Sequence, residues 1–336
     1  MLSSGADLWS SHTAAARAAS SASSCCLTYL EINGWMLSSA EVTVCIDPIL
    51  DGDLDFGIPR IYSASKRVLP SQGLLGTFPT LDALIITQGL DDHAHLRTLT
   101  KIAFSDPLLP VYAPPSARPV LEAAQFKDVT YLASQQRRID LPYLGLDALP
   151  PIRLPDASEN LDVALIQPRD APAATRGAGL RVRATSGALV GPPWQQRENG
   201  YVLTGVSRGG VADGFSVYVE PHVEYDSDEL RDIAPVDAVI TPISGQGLPG
   251  FELVHGSDAS IDLIEKLRPQ YVLPMQNGAV DATGLSSPFI REFGLDRLAF
   301  QRALRDASMS AEVIDVRPGE PVCIASRGRA GVYDND

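Results

Sequence analysis

The stretch Thr87-Gln88-Gly89-Leu90-Asp91-Asp92-His93 constrains this chain more than any other. An apolar run, Ala83-Leu84-Ile85-Ile86, precedes it, and Leu96, Leu99 and Ile102 follow at helical spacing. The pattern predicts a strand over 83–87, a loop, and a helix over 93–104. In an extended loop, residues 88, 90 and 92 face alike while 93 turns away. A metal site ligated by nitrogen and oxygen needs imidazoles and carboxylates converging from several loops. This loop offers Asp92 and His93 toward one.

The rest of the chain supplies a setting for that loop. Residues 27–32 and 35–37 read as strands around an Asn33-Gly34 turn, and 42–46 reads as a buried strand ending at Asp47-Pro48. Residues 51–80, rich in Gly, Pro and Ser, form a long excursion that could lie over a site. A strand at 109–112, a helix at 116–125 and a strand at 129–132 continue a βα rhythm with parallel neighbours. Strands at 161–166, 180–184, 201–206 and 215–219 follow. Alternation then resumes with helix 227–233, strand 236–240, helix 259–267, strand 271–273, helix 296–307 and strand 311–316. Strands, βα units, strands and βα units again predict a layered α/β protein with helices outside two packed sheets.

With 336 residues, 45% of them hydrophobic, the chain can bury a sizeable core. A formal charge of −14 and a pI near 4.8 repel a phosphate backbone, which argues against a nucleic-acid partner. The basic segments 135–138 and 176–183 lack interleaved aromatics and read as solvated surface. No apolar run reaches 18 residues, so no membrane span is expected. Cys25, Cys26, Cys45 and Cys323 form no CxxC pair. Cys45 reads as a buried core thiol, and the set points to a reducing compartment.

The first 24 residues contain 15 Ser or Ala, one basic residue (Arg17) and one acidic residue (Asp7). Residues 1–26 are therefore expected to be a disordered leader or an organelle transit peptide. The domain is expected over 27–326, with a loose tail at 327–336.

The 87–93 loop has the frame T-H-x-H-x-D-H, with Gln88 and Leu90 in place of two histidines. Other phrases stand in matching order. Val44-Cys45-Ile46-Asp47-Pro48 is a strand ending in Asp, and Ala184 to Gly187 follows where one His is usual. Next come Ser216-Val217-Tyr218-Val219-Glu220 and Leu267-Arg268-Pro269-Gln270-Tyr271-Val272-Leu273-Pro274-Met275-Gln276. In these motifs the chain resembles the metallo-β-lactamase superfamily over about 27–324. The resemblance implies a four-layer αββα sandwich. It does not imply the usual two-zinc site: Gln88, Leu90 and Gln276 replace histidines, Glu220 stands for Asp, and no histidine lies between His95 and His222. Arg197-Glu198-Asn199-Gly200-Tyr201 and Tyr218-Val219-Glu220-Pro221-His222 are similar to a divergent branch found in photosynthetic organisms. That likeness implies a chloroplast location, with the cytoplasm as the alternative.

Asp92, His93, Glu220 and His222 are the metal-ligand candidates, enough for one divalent ion, zinc first. The plainer reading makes Asp92 the N-cap of the following helix and pairs Glu220 with an arginine. Gln88 and Gln276 are expected to hydrogen-bond across the site, and Leu90 to fill it apolarly. Asp47 is expected to bond loop amides. His95 reads as a surface or packed histidine, and Asp258 as an N-cap beside His255.

Gly205-Val206-Ser207-Arg208-Gly209 matches G-x-S-x-G, with Asp237 and His255 downstream. A nucleophile elbow needs a helix directly after the serine. Here glycines and another strand follow, so a hairpin is expected instead.

The loss of ligands favours a non-catalytic or small-ligand-binding protein. One alternative is a hydrolase of a small ester, lactone or phosphoester with a rearranged mononuclear site. Another is a scaffold subunit with a protein partner. A monomer or simple homo-oligomer fits each.

Overall fold

Residues at period two send their side chains to opposite faces of a sheet. Cys25, Leu27, Tyr29, Trp35, Leu37, Val44 and Ile46 share one core with Leu203, Val217, Val219, Ala238, Ile240 and Leu273. The alternating Met36, Cys45 and Leu84 enter a second core, with Leu99, Ile102 and Leu121. Tyr218, Val239 and Val272 enter a third, with Leu263, Leu267, Phe300 and Leu304. Both faces of two sheets are thus buried, and four layers follow.

The computed structural model describes residues 23–134, 162–169, 177–189, 197–207, 210–212 and 214–327, the side chain of Phe251 apart. The leader as far as residue 22, the basic segment 135–138 and the tail from 328 lie outside the described residues. The first sheet runs β19 (Pro321–Ala325), β1 (Ser24–Tyr29), β2 (Trp35–Ser39), β3 (Thr43–Ile46), β5 (Ala83–Ile85), β6 (Val111–Ala113), β7 (Val129–Tyr131). Its β3-β5-β6-β7 half is parallel. The second runs β18 (Glu312–Val313), β15 (Tyr271–Met275), β12 (Ala238–Pro242), β11 (Ser216–Val219), β10 (Asn199–Val206), β9 (Gly179–Ser186), β8 (Val163–Ile166). Helices α1 (Leu96–Ser105) and α2 (Arg118–Ala124) cover the first sheet. Helices α3 (Ser227–Ile233), α4 (Ser257–Leu267) and α5 (Arg297–Asp306) cover the second. The expected αββα sandwich is the fold, and among the described residues no helix is long and apolar enough to cross a membrane.

Several details differ from the sequence reading. β1 begins at Ser24, so Cys25 and Cys26 are buried strand residues rather than leader. Cys26 faces Cys323 in the β1–β19 register and forms a disulfide with it, 297 residues apart in sequence. Disulfides persist in oxidising surroundings, so this pair does not support a reducing compartment. β19 itself was not expected, and the strand expected at 311–316 shrinks to Glu312–Val313. Gly256 rather than Asp258 occupies the N-cap of α4.

A ribbon of β4 (Ser63–Lys66) with β16 (Val280–Thr283) was also unforeseen. So was a small sheet of β14 (Phe251–Val254), β13 (Ser244–Leu248) and β17 (Arg291–Gly294). Glycines hide β13 from propensity. Gly245 is needed there, because a Cβ would sit 2.4 Å from the Phe293 ring.

The turn between β1 and β2 places its positive φ angles at Glu31 (67°) and Ile32 (56°), not at Asn33-Gly34. The Tyr29 hydroxyl donates to the Ile32 carbonyl at 2.9 Å and holds this strained turn. The Glu31 carboxylate accepts from the amides of Arg67, Val68 and Leu69 at 2.8, 3.1 and 2.6 Å, fastening the excursion.

Candidate metal centre

Asp47, directly after β3, sets the geometry of the loop. Its Oδ1 accepts from the Thr87 amide at 2.8 Å and its Oδ2 from the Thr87 hydroxyl at 2.5 Å. The Thr87 carbonyl accepts from the Asn199 amide at 3.1 Å, which ties the loop to β10. Gly89 passes so close to the turn that leads into α2 that a Cβ would lie 2.5 Å from the Ser116 carbonyl oxygen. Only glycine fits that approach.

His93 is fully buried, and both ring nitrogens have partners. Nδ1 lies 2.8 Å from Asp47 Oδ2 and 3.0 Å from Thr87 Oγ1. Nε2 lies 3.2 Å from Asp92 Oδ2 and 3.1 Å from Asn33 Nδ2. His222, just past β11, sets its ring 5.2 Å from the His93 ring and its Nδ1 2.7 Å from Gln88 Nε2. Asp92, His93 and His222 each offer a ligand atom, all within 4.8 Å of one another.

The fourth candidate ligand stands outside this group. Glu220 is buried, and its Oε2 accepts from the amides of His222 at 3.0 Å and Glu224 at 2.8 Å. It shapes the loop that carries His222 and has backbone partners where an arginine was expected. Asp92 does not cap α1. His95 occupies the N-cap position, and the Asp91 carboxylate accepts from the Leu96 amide at 3.3 Å. Leu90 is 42% exposed rather than filling the site, and Gln276 is exposed, so Gln88 bonds His222 instead of Gln276. His95 is buried with Nδ1 2.9 Å from Thr98 Oγ1, whereas His255 pairs with Glu252 at the surface.

At the third motif, Ser186 donates through its amide and hydroxyl to Glu229 at 2.6 and 2.9 Å, a structural use of the position. Among the described residues Ser207 bonds its own turn, through Val211, while Asp237 accepts from Ser216. Ser207, Asp237 and His255 therefore share no contact, and the serine lies in a hairpin turn.

Two residues near the loop escaped the sequence reading. Asn33 was taken only as a turn former. Glu198 accepts from Ser116 Oγ at 2.5 Å, and burial raises its pKa although the Ser116 hydroxyl, the charge of His93 and the Gly89 amide oppose this. Its phrase was recognised at 197–201, but nothing local gave it a partner.

Charge is distributed unevenly across the site. Burial opposes a charged His93, yet Asp92 and Asp47 outweigh it and raise its pKa to about 10. Burial and the charge of His93 push His222 down to about 3, leaving a neutral imidazole. Burial pushes Asp92 up, but His93 outweighs it and holds Asp92 below the usual carboxylate range. Burial leaves Asp47 above that range, and it lifts Glu220 to about 8.

The raised pKa of His93 has a measurable consequence in metal-free protein. A folded pKa above the unfolded 6.5 means that the native state holds the proton more tightly. The stabilisation is complete below pH 6.5 and is lost as pH rises through about 10. Urea midpoints of metal-free wild type and His93→Gln should converge over that window. A constant gap would show that His93 does not carry this charge.

The donor set suits a metal. Two imidazoles and a carboxylate, with a water completing the shell, are a common catalytic arrangement for zinc. The Asp47 carboxylate on His93 Nδ1 is the usual outer partner of a histidine ligand. Asp92 Oδ1, Gln88 Oε1 and Asn33 Oδ1, on side chains of this cluster, are buried without hydrogen-bond partners. Buried oxygens rarely stay unpaired unless something else occupies the site.

Residues 26–276 match the family described as "Beta-lactamase superfamily domain". No curated protein sequence matches the chain significantly. Among solved structures, the metallo hydrolase Igni18 from Ignicoccus hospitalis aligns with a TM-score of 0.53 at 16% identity, covering 90% of this chain and 98% of that one. An isothiocyanate hydrolase from Delia radicum gut bacteria aligns at 0.55 and 12% identity, covering 90% and 99%. CmlA, a diiron beta-hydroxylase from Streptomyces venezuelae, aligns at 0.54 and 15%, and this chain covers 54% of it. These likenesses concern the fold. The family match spans most of the sandwich and the loops at its centre, and on that match the chain belongs to the beta-lactamase superfamily domain family.

Proposed function

We propose that this protein is a hydrolase using one divalent ion, zinc first, held by Asp92, His93 and His222. The observation that carries the reading is the convergence of these three side chains from two loops to within 4.8 Å. When bound, such an ion supplies a Lewis acid and a nucleophile drawn from water near neutral pH. The chain's own residues prepare the site. Asp47 holds His93 Nδ1 and so directs Nε2 toward Asp92. Gln88 orients the His222 ring, and Glu220 fixes the backbone beneath it.

The entrance favours an uncharged ester or lactone over a phosphoester. The Phe56 amide donates to Asp91 at 3.1 Å, bringing the excursion against the loop. Tyr62 packs on Phe56 with ring centroids 6.0 Å apart, and burial and the charge of Asp92 both raise its pKa. Phe56, Ile58 and Ile61 on this excursion are exposed, with Phe56 held against Asp91, so acids that repel a phosphate share the excursion with side chains that attract an apolar group.

One observation favours the non-catalytic reading. His93 lies between two carboxylates and offsets part of their charge without any ion. Metal analysis of protein purified without chelators separates the two. About one equivalent of metal is expected, together with hydrolysis of neutral aryl esters or lactones, both lost in His222→Ala. A protein that is metal-free and inert on that panel would be a ligand-binding or scaffold member. The serine- and alanine-rich start and the family likeness together support a plastid location for either.

A further inference from the structure

We propose that Asn33 is a fourth metal ligand, through its side-chain carbonyl oxygen. The inference rests on the metal site proposed above and adds a residue to it. The Asn33 amide lies 3.1 Å from His93 Nε2 and 3.4 Å from Asp92 Oδ2, and those two atoms are 3.2 Å apart. Donors about 2.1 Å from one ion stand roughly 3.0 Å apart at right angles and about 3.4 Å apart in a tetrahedron. The three separations fall in that range, so the amide closes a triangle of coordination size.

The chemistry of the amide supports the same role. Asn33 is 3% exposed, and its Oδ1 is buried with no partner, while Nδ2 faces the imidazole and carboxylate. Nδ2 also donates to the Asp92 carbonyl at 3.1 Å. An amide nitrogen has only protons to offer and cannot bind a cation, whereas the carbonyl oxygen can. Turning the amide over exchanges the two atoms and brings Oδ1 to the point where Nδ2 now stands. The ion then satisfies the unpaired oxygen, the amide nitrogen gives up its bond to the Asp92 carbonyl, and the site gains a neutral oxygen ligand.

The backbone explains how a turn residue reaches the site. With Glu31 and Ile32 carrying the left-handed φ angles, Asn33 leaves the turn with its side chain directed at residues 92 and 93. The Glu31 carboxylate, on three amides of the excursion, fixes the turn from the other side.

Metal affinity and stoichiometry, not turnover, test the inference. Wild type, Asn33→Ala and Asn33→Asp are to be titrated with zinc and with manganese after chelator treatment. Asn33→Ala should bind at least about tenfold more weakly, and Asn33→Asp, which keeps an oxygen at the same reach, should bind as tightly as wild type or more so. The absorption bands of the cobalt-loaded protein should shift in Asn33→Ala and persist in Asn33→Asp. Equal affinity in all three proteins overturns the role of Asn33 while leaving the three-residue site standing. A wild-type protein that takes up neither ion overturns both. Circular dichroism and melting of the metal-free variants show whether a weakened Asn33→Ala is folded; if it is not, Asn33→Leu, of similar volume but without an oxygen, carries the decision, and wild-type affinity in it overturns the role.

Discussion

His93→Ala is expected to abolish metal uptake and to destabilise the metal-free protein by about 3–5 kcal/mol. The second effect is independent of any reaction. His93 is fully buried between Asp47 and Asp92, with charged partners at 2.8 and 3.2 Å. Deleting the imidazole leaves two carboxylates facing a cavity, and Asp47 has no exposure through which to recover hydration. The Thr87 hydroxyl would still donate to Asp47, but the loop would lose the group that joins its two ends. Urea unfolding measures the loss, and metal analysis of the same sample measures uptake. A variant as stable as wild type would show that the buried charges are not coupled as described. His222→Ala provides the contrast: its neutral ring bonds one amide and makes no ion pair, so metal should be lost with less change in metal-free stability than in His93→Ala.

Cys323→Ser is expected to cost about 2–4 kcal/mol of stability under oxidising conditions. The disulfide ties β19, an edge strand near the end of the chain, to β1 at its start, across 297 residues. Joining such distant points removes much freedom from the unfolded chain, and the benefit grows slowly with loop length. Among the described residues β19 has one sheet neighbour, so the cross-link also keeps it paired. Denaturation with and without reductant checks this: reductant should lower wild type to the level of Cys323→Ser and leave the variant unchanged. If reductant has no effect on wild type, Cys26 and Cys323 are not joined. Cys25, buried beside Cys26, is no substitute, because neighbouring strand residues face opposite sides of the sheet.

The sandwich was legible in the sequence because burial on both sheet faces writes itself into runs such as 42–46 and 236–240. The motif order 44–48, 87–93, 216–220 and 267–276 gave the same answer through resemblance. Elements rich in glycine were not legible. β13 reads as a loop because its fit depends on the Phe293 ring above Gly245. β19 and the disulfide depend on the two ends of the chain meeting, which no local pattern encodes.

The site divides the same way. Asp92, His93 and His222 were named from residue type and motif position, since few other residues bring imidazole or carboxylate to those strand ends. Their separations, the displacement of Glu220 onto backbone amides and the outward turn of Leu90 depend on how loops from two sheets are anchored. Asn33 shows the limit most clearly. Its sequence context marks a turn, and only the left-handed Glu31 and Ile32 ahead of it aim the amide at His93. The sequence alone determined the layered fold and a stock of polar groups at the strand ends. The tertiary structure decided which of them meet, because convergence on one point is a property of distances between segments far apart in the chain.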